Sequence, residues 1–304
     1  LPLCSAFNKN ALEERIGAIM RSRKTSAAAL AVAALFLFRA RELSGRHWDW
    51  NALTPYLWQR DADGFHWGML TKGLFMTVRL GLWSLALALA SGFLIGALSA
   101  RVRGFAALPA RLYVNLLRNT PPLVLLFLVF FFAGSFFAEP LLRAEELVQG
   151  LPPGPRDMIH LLLAPPGQMD RMAAAILTLG LYEGAYVAEI VRAGMESVPR
   201  GQWEAAASQG FSPWQQRRYI IAPQALRFIL PPLAGQTISI FKETTLASII
   251  SLPELTFQSL EVMAVTRMTF ELWLVTALLY LGLSLLWSRL GVWLERRQKW
   301  RPVE

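Results

Sequence analysis

The chain has 304 residues, of which 54% are hydrophobic, and its formal net charge is +9. Soluble domains average about 45–50% apolar residues; here the excess is gathered into blocks long enough to cross a bilayer, which excludes an ordinary soluble fold. The basic balance fits membrane topology rather than nucleic-acid binding, because no nucleic-acid motif is present, and the single cysteine, Cys4, excludes an internal disulfide.

Residues 1–24 read as an N-terminal extension, disordered or amphipathic, with a native start expected at Met20, just before Arg21, Arg23 and Lys24. Thr25–Phe38 is an apolar run behind that basic cluster, with no small-residue cleavage site after it. It is expected to be an uncleaved first span, so that residues 25–72 hold this span and an external connection. Five stronger spans follow: Leu80–Ala100, beginning nearer Gly73; Pro121–Ala138; Met172–Gly194, interrupted by Glu183 and Glu189; Leu233–Leu252, interrupted by Lys242 and Glu243; and Leu272–Val292. Trp273, Trp287 and Trp293 stand where interfacial aromatics belong. The segment Glu139–Arg171 carries six prolines and reads as a surface loop with a short helix near Met158–Leu163. The fold class is therefore all-α, a polytopic transmembrane helical bundle over residues 73–293, followed by a basic tail at 294–304.

Lys and Arg accumulate in cytoplasmic loops. Arg101, Arg103 and Arg111 follow the first strong span; Arg200, Arg217, Arg218 and Arg227 follow the third; Arg296, Arg297, Lys299 and Arg301 close the chain. These groups alternate with connections holding Glu139, Glu145, Glu146, Asp157, Glu254 and Glu261. The basic side is read as cytoplasmic and the C-terminus with it. With six spans the N-terminus is inside too.

Residues 195–227 form a cytoplasmic loop that is unexpectedly apolar. Helix formers run from Gln202 to Gln209, Gly210 permits the left-handed turn that ends a helix, and Ser212-Pro213 reads as an N-cap opening a second short helix. Two short helices should thus meet at a tight corner, with Ala205 and Ala206 offering a smooth packing surface and Glu204 a partner for a basic group on a neighbouring chain. Such a corner suits a membrane protein that receives a push from a soluble motor. The chain has no G-x-x-x-x-G-K-[ST] phosphate loop, no nucleophile–base set, and only scattered histidines at His47, His66 and His160. It is read as a non-enzyme, with no metal site and no cofactor of its own.

Glu204-Ala205-Ala206, then Gly210, then Ile220 and Ala222-Pro223, resembles the EAA loop of ABC importer permeases, with Ala222 in place of the usual leucine. The resemblance narrows to polar amino-acid permeases through Leu117-Arg-Asn-Thr-Pro-Pro122, Tyr182–Gly194, Ser197–Glu204 and Phe241–Leu246. It implies a type I importer-like fold of five core spans plus an extra N-terminal one, in a bacterial inner membrane. It also implies two permease protomers (copies of this chain or a sister), two cytoplasmic ATPase subunits that bind ATP and Mg, and an external solute-binding protein. Glu204, Ala205, Ala206, Gly210, Phe211 and Pro213 would then couple to the ATPase, and solute would move inward by alternating access.

Charges inside spans are costly and are read first as functional. Glu183, Glu189, Lys242 and Glu243 are therefore candidate path residues, with Glu189 and Lys242 alternatively an ion pair that fixes helix packing. A carboxylate at Glu183 suits the α-ammonium of an amino acid. Asn119 and Thr120 precede the Pro121-Pro122 break, where backbone polar groups become free; a kink that only shapes packing is the other reading. Thr244 and Thr245 are expected to bond back to their own helix. Rival functions are import of an opine or other small zwitterion or amine, and secondary transport without an ATPase.

Overall fold

A stripe of small residues explains the central packing. The first long helix, α1 (Met69–Arg101), buries Gly73, Gly81, Ser84, Ala88, Gly92 and Gly96 along one face. Against that face runs α6 (Met169–Glu196). A Cβ on Gly92 would meet Val187 and the Gly184 carbonyl, and one on Gly96 the Ala188 carbonyl, so the backbones approach as only small residues allow. The opposite face of α1, through Phe75, Leu82, Trp83, Phe93, Leu94 and Leu98, is apolar and exposed among the described residues, as suits contact with lipid.

The computed structural model describes residues 38–39, 50–61, 64–101 and 104–297. The predicted extension 1–24, nearly all of the predicted first span 25–38 and most of the basic tail 294–304 lie outside the described residues. Leu53–Glu304 forms one compact unit, separate from Leu1–Ala52. Ahead of α1 stands an antiparallel hairpin, β1 (Trp58–Asp61) and β2 (Gly64–Trp67), pairing Trp58 with Trp67 and Gln59 with His66.

After α1 come α2 (Leu108–Arg118) and α3 (Pro122–Phe127), bent from each other by 106° at Asn119–Pro121. A π-helical stretch, Leu128–Ala133, carries α3 into α4 (Gly134–Gln149), and α5 (Pro153–Leu162) follows. The expected loop at Glu139–Arg171 is thus largely helical. Its prolines misled: Pro152 and Pro153 sit at the start of α5, where a missing N–H costs nothing, and Pro140 is absorbed inside α4.

Beyond α6, the short α7 (Arg200–Ser208) leads to a turn, α8 (Pro213–Gln215), which passes through a π-helical stretch (Gln216–Ile221) into α9 (Ala222–Glu243). A 3-10 segment (Thr244–Ile250) then precedes α10 (Leu255–Thr266) and α11 (Thr269–Arg297). The expected second short helix at Ser212-Pro213 is instead the beginning of a long one. The wide π turn lets the helix run into Pro223, which cannot donate to its preceding turn. In place of the span expected at Leu233–Leu252 there is a helix that starts eleven residues earlier and ends at Glu243; among the described residues it is not one of the helices that are by themselves long and apolar enough to cross a membrane.

Contacts fix the direction of each helix. Leu87 meets Gly180, Gly92 meets Val187 and Gly96 meets Val191, so α1 and α6 run the same way. The chain between them must return across the same thickness, which α3 and α4 do: Leu126 joins Met76, Leu80, Met172 and Leu179 in one buried cluster. Helix α9 runs opposite to α6, with Ile229 against Gly194 and Gln236 against Glu183. Helix α11 reverses again, with Gly291 beside Ala234 and Trp287 stacked on Phe241 at 4.5 Å. Helices α1, α6 and α11 are each long and apolar enough to cross a membrane, and the bent α2–α3 pair adds a fourth candidate. Arg101, Glu196, α7 and the far end of α11 therefore share one end of the bundle. The hairpin, α5, Met169 and Glu254 share the other.

Candidate functional site

Two places gather the predicted residues: the α7–α8 corner at one end, and a polar cluster between the middle of α6 and the second half of α9.

The corner is built by capping. Gly210 takes φ +80°, and its N–H bonds Ala207 O at 3.0 Å while Phe211 N bonds Ala206 O at 3.2 Å. That pair of bonds ties off the carbonyls at the end of α7, and the left-handed residue needs no Cβ. Two residues on, Ser212 and Gln215 cap each other's backbone N–H, at 3.4 and 2.8 Å, with Pro213 in the first turn. Ala206 is buried, Trp203 packs on the core beneath, and Gln202 bonds Gln224 of α9 at 3.2 Å. Glu204, Ala205 and Pro213 are exposed, and Phe211 is half-buried. Exposed Trp214 lies edge-on to Tyr219 at 5.9 Å. Glu204 makes no ion pair among the described residues, and it lines a cavity of about 890 Å³ with Arg111, Arg200, Arg217 and Glu196. The corner is therefore a rigid apolar knob with a carboxylate at its edge.

At mid-height, Glu183 is 1% exposed and accepts a hydrogen bond from Gln236 Nε2. Glu243 is its charged neighbour on α9, and the Glu243 Oε2 is buried without a partner among the described residues. The Tyr182 and Tyr186 hydroxyls are 3.2 Å apart, and Arg118 lies over the Tyr186 ring, 5.1 Å from its centre. Two carboxyl groups, an amide and two phenols thus converge between α6 and α9.

Other predicted path residues lie elsewhere. The Glu189–Lys242 ion pair does not form: Lys242 is exposed, and Glu189 pairs with Arg192, which also holds Glu196 at 2.7 Å. The local partner wins because residues three and four apart already meet on one helix face. At the α2–α3 bend Asn119 is exposed and Thr120 half-buried, with their side chains bonded back to Asn115 O and Leu116 O, each at 2.7 Å. Thr244 and Thr245 bond back to Phe241 O and Lys242 O, as expected. Gln236, Tyr182, Tyr186 and Arg118 were missed. Gln236 was visible as a polar residue inside an apolar span, and the tyrosines as an i,i+4 pair flanking Glu183. No group of three His, Cys, Asp or Glu suited to a metal occurs among the described residues.

Residues 92–300 match the family model described as the binding-protein-dependent transport system inner membrane component. The chain is 32% identical over 255 residues to the glutamine transport system permease protein GlnP of Escherichia coli (strain K12), covering 83% of this chain and 98% of that protein. It is 31% identical over 241 residues to the octopine transport system permease protein OccM of Rhizobium meliloti, covering 77% and 90%. A crystal structure of an amino acid ABC transporter with histidines matches with a TM-score of 0.62 at 27% identity, over 83% of this chain and 100% of that one.

Proposed function

The chain belongs to the inner-membrane components of binding-protein-dependent transport systems, and we propose that it pairs with a second permease protomer to form the membrane path of an ATP-driven amino-acid importer. ATP and Mg are handled by a separate cytoplasmic ATPase dimer, and an external binding protein delivers the solute. The observation that carries this reading is the doubly capped α7–α8 corner, which presents Glu204, Ala205, Phe211, Pro213 and Trp214 on a rigid mount. Arg111, Arg200 and Arg217 line the cavity beside it, and Arg218 and Arg227 follow in the sequence, which supports a cytoplasmic placement of this end and of the C-terminus.

The mechanism follows from how the corner is attached. A push on the corner passes directly into α9, because α8, the π turn and α9 form one helical rod. That rod carries Gln236 and Glu243, which face Glu183 on α6. Moving α9 against α6 opens and closes the polar cluster, the geometry of alternating access. Solute is bound there through its ammonium group by Glu183 and Glu243. The glutamine and octopine permeases among the relatives support a zwitterion with an α-ammonium.

The test is co-purification in detergent with the ATPase encoded beside this chain, wild type against Glu204→Arg with Gly210→Pro. The wild type should retain the ATPase and the variant should lose it while still inserting in the membrane. A wild type that recruits no ATPase would leave secondary transport as the better reading.

A further inference from the structure

The exposed side of α1 carries Lys72 in its first turn and Arg79 two turns further in, so Arg79 is the charge nearer the hydrocarbon. Counting back from Arg101 at about 1.5 Å per residue, a hydrocarbon layer of about 30 Å ends near Gly81. Arg79 therefore stands at the far boundary of the bilayer. There it meets α5: Arg79 Nη1 donates to His160 O at 3.0 Å, and Trp83 Nε1 donates to Leu162 O at 2.9 Å. The last carbonyls of a helix have no partner of their own, so α1 caps α5 and holds its end at the membrane surface.

The joint leaves a groove of about 430 Å³, walled by Phe75, Val78, Leu82 and Ala86 of α1 and by Leu161 and Leu162 of α5. Its walls are apolar, and Phe75, Leu82, Leu161 and Leu162 are exposed. The groove is continuous with the bare stripe that descends through Phe93, Leu94 and Leu98. Midway along it, Arg79 makes no ion pair among the described residues; Asp157, one turn before His160, pairs with Arg156 at 3.3 Å. A half-buried guanidinium at an apolar boundary, with one of its five N–H groups engaged, calls for an anion. At that depth the anion at hand is a lipid phosphate.

We propose that this groove binds an anionic glycerophospholipid, with one acyl chain between α1 and α5 and the head-group phosphate on the remaining N–H groups of Arg79. The site lies in the external leaflet on the orientation proposed above, and it does not depend on the solute or the ATPase. A bound lipid fills the space beside α1 and fixes the end of α5 against the span. The observation pointing to lipid rather than a second protomer is the depth match: the cation sits at the boundary and every wall below it is apolar.

Native mass spectrometry of the full-length protein in detergent tests this, with phosphatidylglycerol, phosphatidylethanolamine and soluble glycerol 3-phosphate as probes. Wild type should retain phosphatidylglycerol over phosphatidylethanolamine by about fivefold, the factor expected for one basic residue near a membrane surface. Arg79→Gln should bring the two lipids level, and Arg79→Lys should keep part of the preference. Ala86→Trp, which fills the groove two turns away, should lose both lipids at unchanged helical content. Equal retention of the two lipids by wild type, or an undiminished preference in Arg79→Gln, overturns the proposal. So does displacement of phosphatidylglycerol by glycerol 3-phosphate at equal concentration, which would mark a free-anion site. Efficient cross-linking of Leu161→Cys to a second copy in membranes would assign the face to a protomer instead.

Discussion

Replacing Gly96 by alanine adds a single methyl group, and the structure says where it goes. A Cβ there lies 2.5 Å from the Ala188 carbonyl oxygen and 2.7 Å from Val191 Cβ, where ordinary contact begins at 3.4 Å. Neither neighbour is the free end of a flexible side chain, so relief requires α1 and α6 to part by about an ångström. Parting them also loosens the contacts of Gly92 with Val187 and of Leu87 with Gly180. Overpacking of this kind costs about 1–3 kcal/mol, well above the gain of up to about 1 kcal/mol that Gly→Ala brings in a helix interior. Gly282→Ala is the internal control, since no neighbouring element among the described residues comes within 4 Å of its Cβ, and it should be neutral or stabilising. Unfolding of each purified variant in detergent, followed by tryptophan fluorescence, measures the difference. At about 2–4 °C per kcal/mol, Gly96→Ala should melt several degrees below Gly282→Ala. Equal midpoints would refute the close approach of α1 and α6.

Three shorter predictions follow from the same geometry. Glu254 is buried and accepts hydrogen bonds from Thr256 N, Phe257 N and Tyr280 Oη, at 2.9, 2.8 and 2.8 Å. Glu254→Gln turns an amide donor toward those donors and should cost about 1–3 kcal/mol, read as a lower thermal midpoint. Ser212→Ala removes one half of the capping box and should cost about 1 kcal/mol, seen as faster amide exchange at Gln215 with the spans unaffected. Glu183→Gln removes a carboxylate from the solute cluster while leaving Gln236 an oxygen to donate to. ATP-driven uptake in proteoliposomes should fall at least tenfold while ATPase recruitment stays at the wild-type level; unchanged uptake would remove Glu183 from the path.

What the sequence makes legible is set by how each element carries its signal. Helices α1, α6 and α11 are apolar on average over a bilayer thickness, with few charges, and their positions are read almost directly. The beginning of α9 is hidden, because Pro223, Gln224, Arg227, Pro231 and Pro232 look like loop residues and only the packing of Ile221, Ala225 and Ile229 against α6 makes them helical. The prolines of α5 carry the opposite sense to the one first read: at a helix start they are permissive, and they mark the boundary they seem to forbid. The hairpin before α1 is signalled only by Asp63-Gly64 between two short aromatic runs, a cue lost in a long polar connection. The corner at Gly210–Pro213 is legible residue by residue, because caps and turns depend on local chemistry. The meeting of Glu183 with Gln236 and Glu243 is not, because it depends on the register of two helices more than fifty residues apart.

That register has a consequence for coupling. Pro231 and Pro232 sit midway between the corner and Glu243, and both are exposed. Neither can donate a helical N–H, and two adjacent prolines soften the rod at this turn. A soft turn lets the cytoplasmic half of α9 follow the corner while the far half turns about Gln236. Restoring both N–H groups with Pro231→Ala and Pro232→Ala should stabilise the resting helix and raise the thermal midpoint, since each proline in a helix interior costs about 3 kcal/mol. ATPase recruitment should be unchanged, because the corner is intact, but uptake per ATP hydrolysed should fall. If the double variant transports as efficiently as wild type, α9 moves as a rigid body and the hinge lies elsewhere, with the π turn at Gln216–Ile221 the next position to straighten.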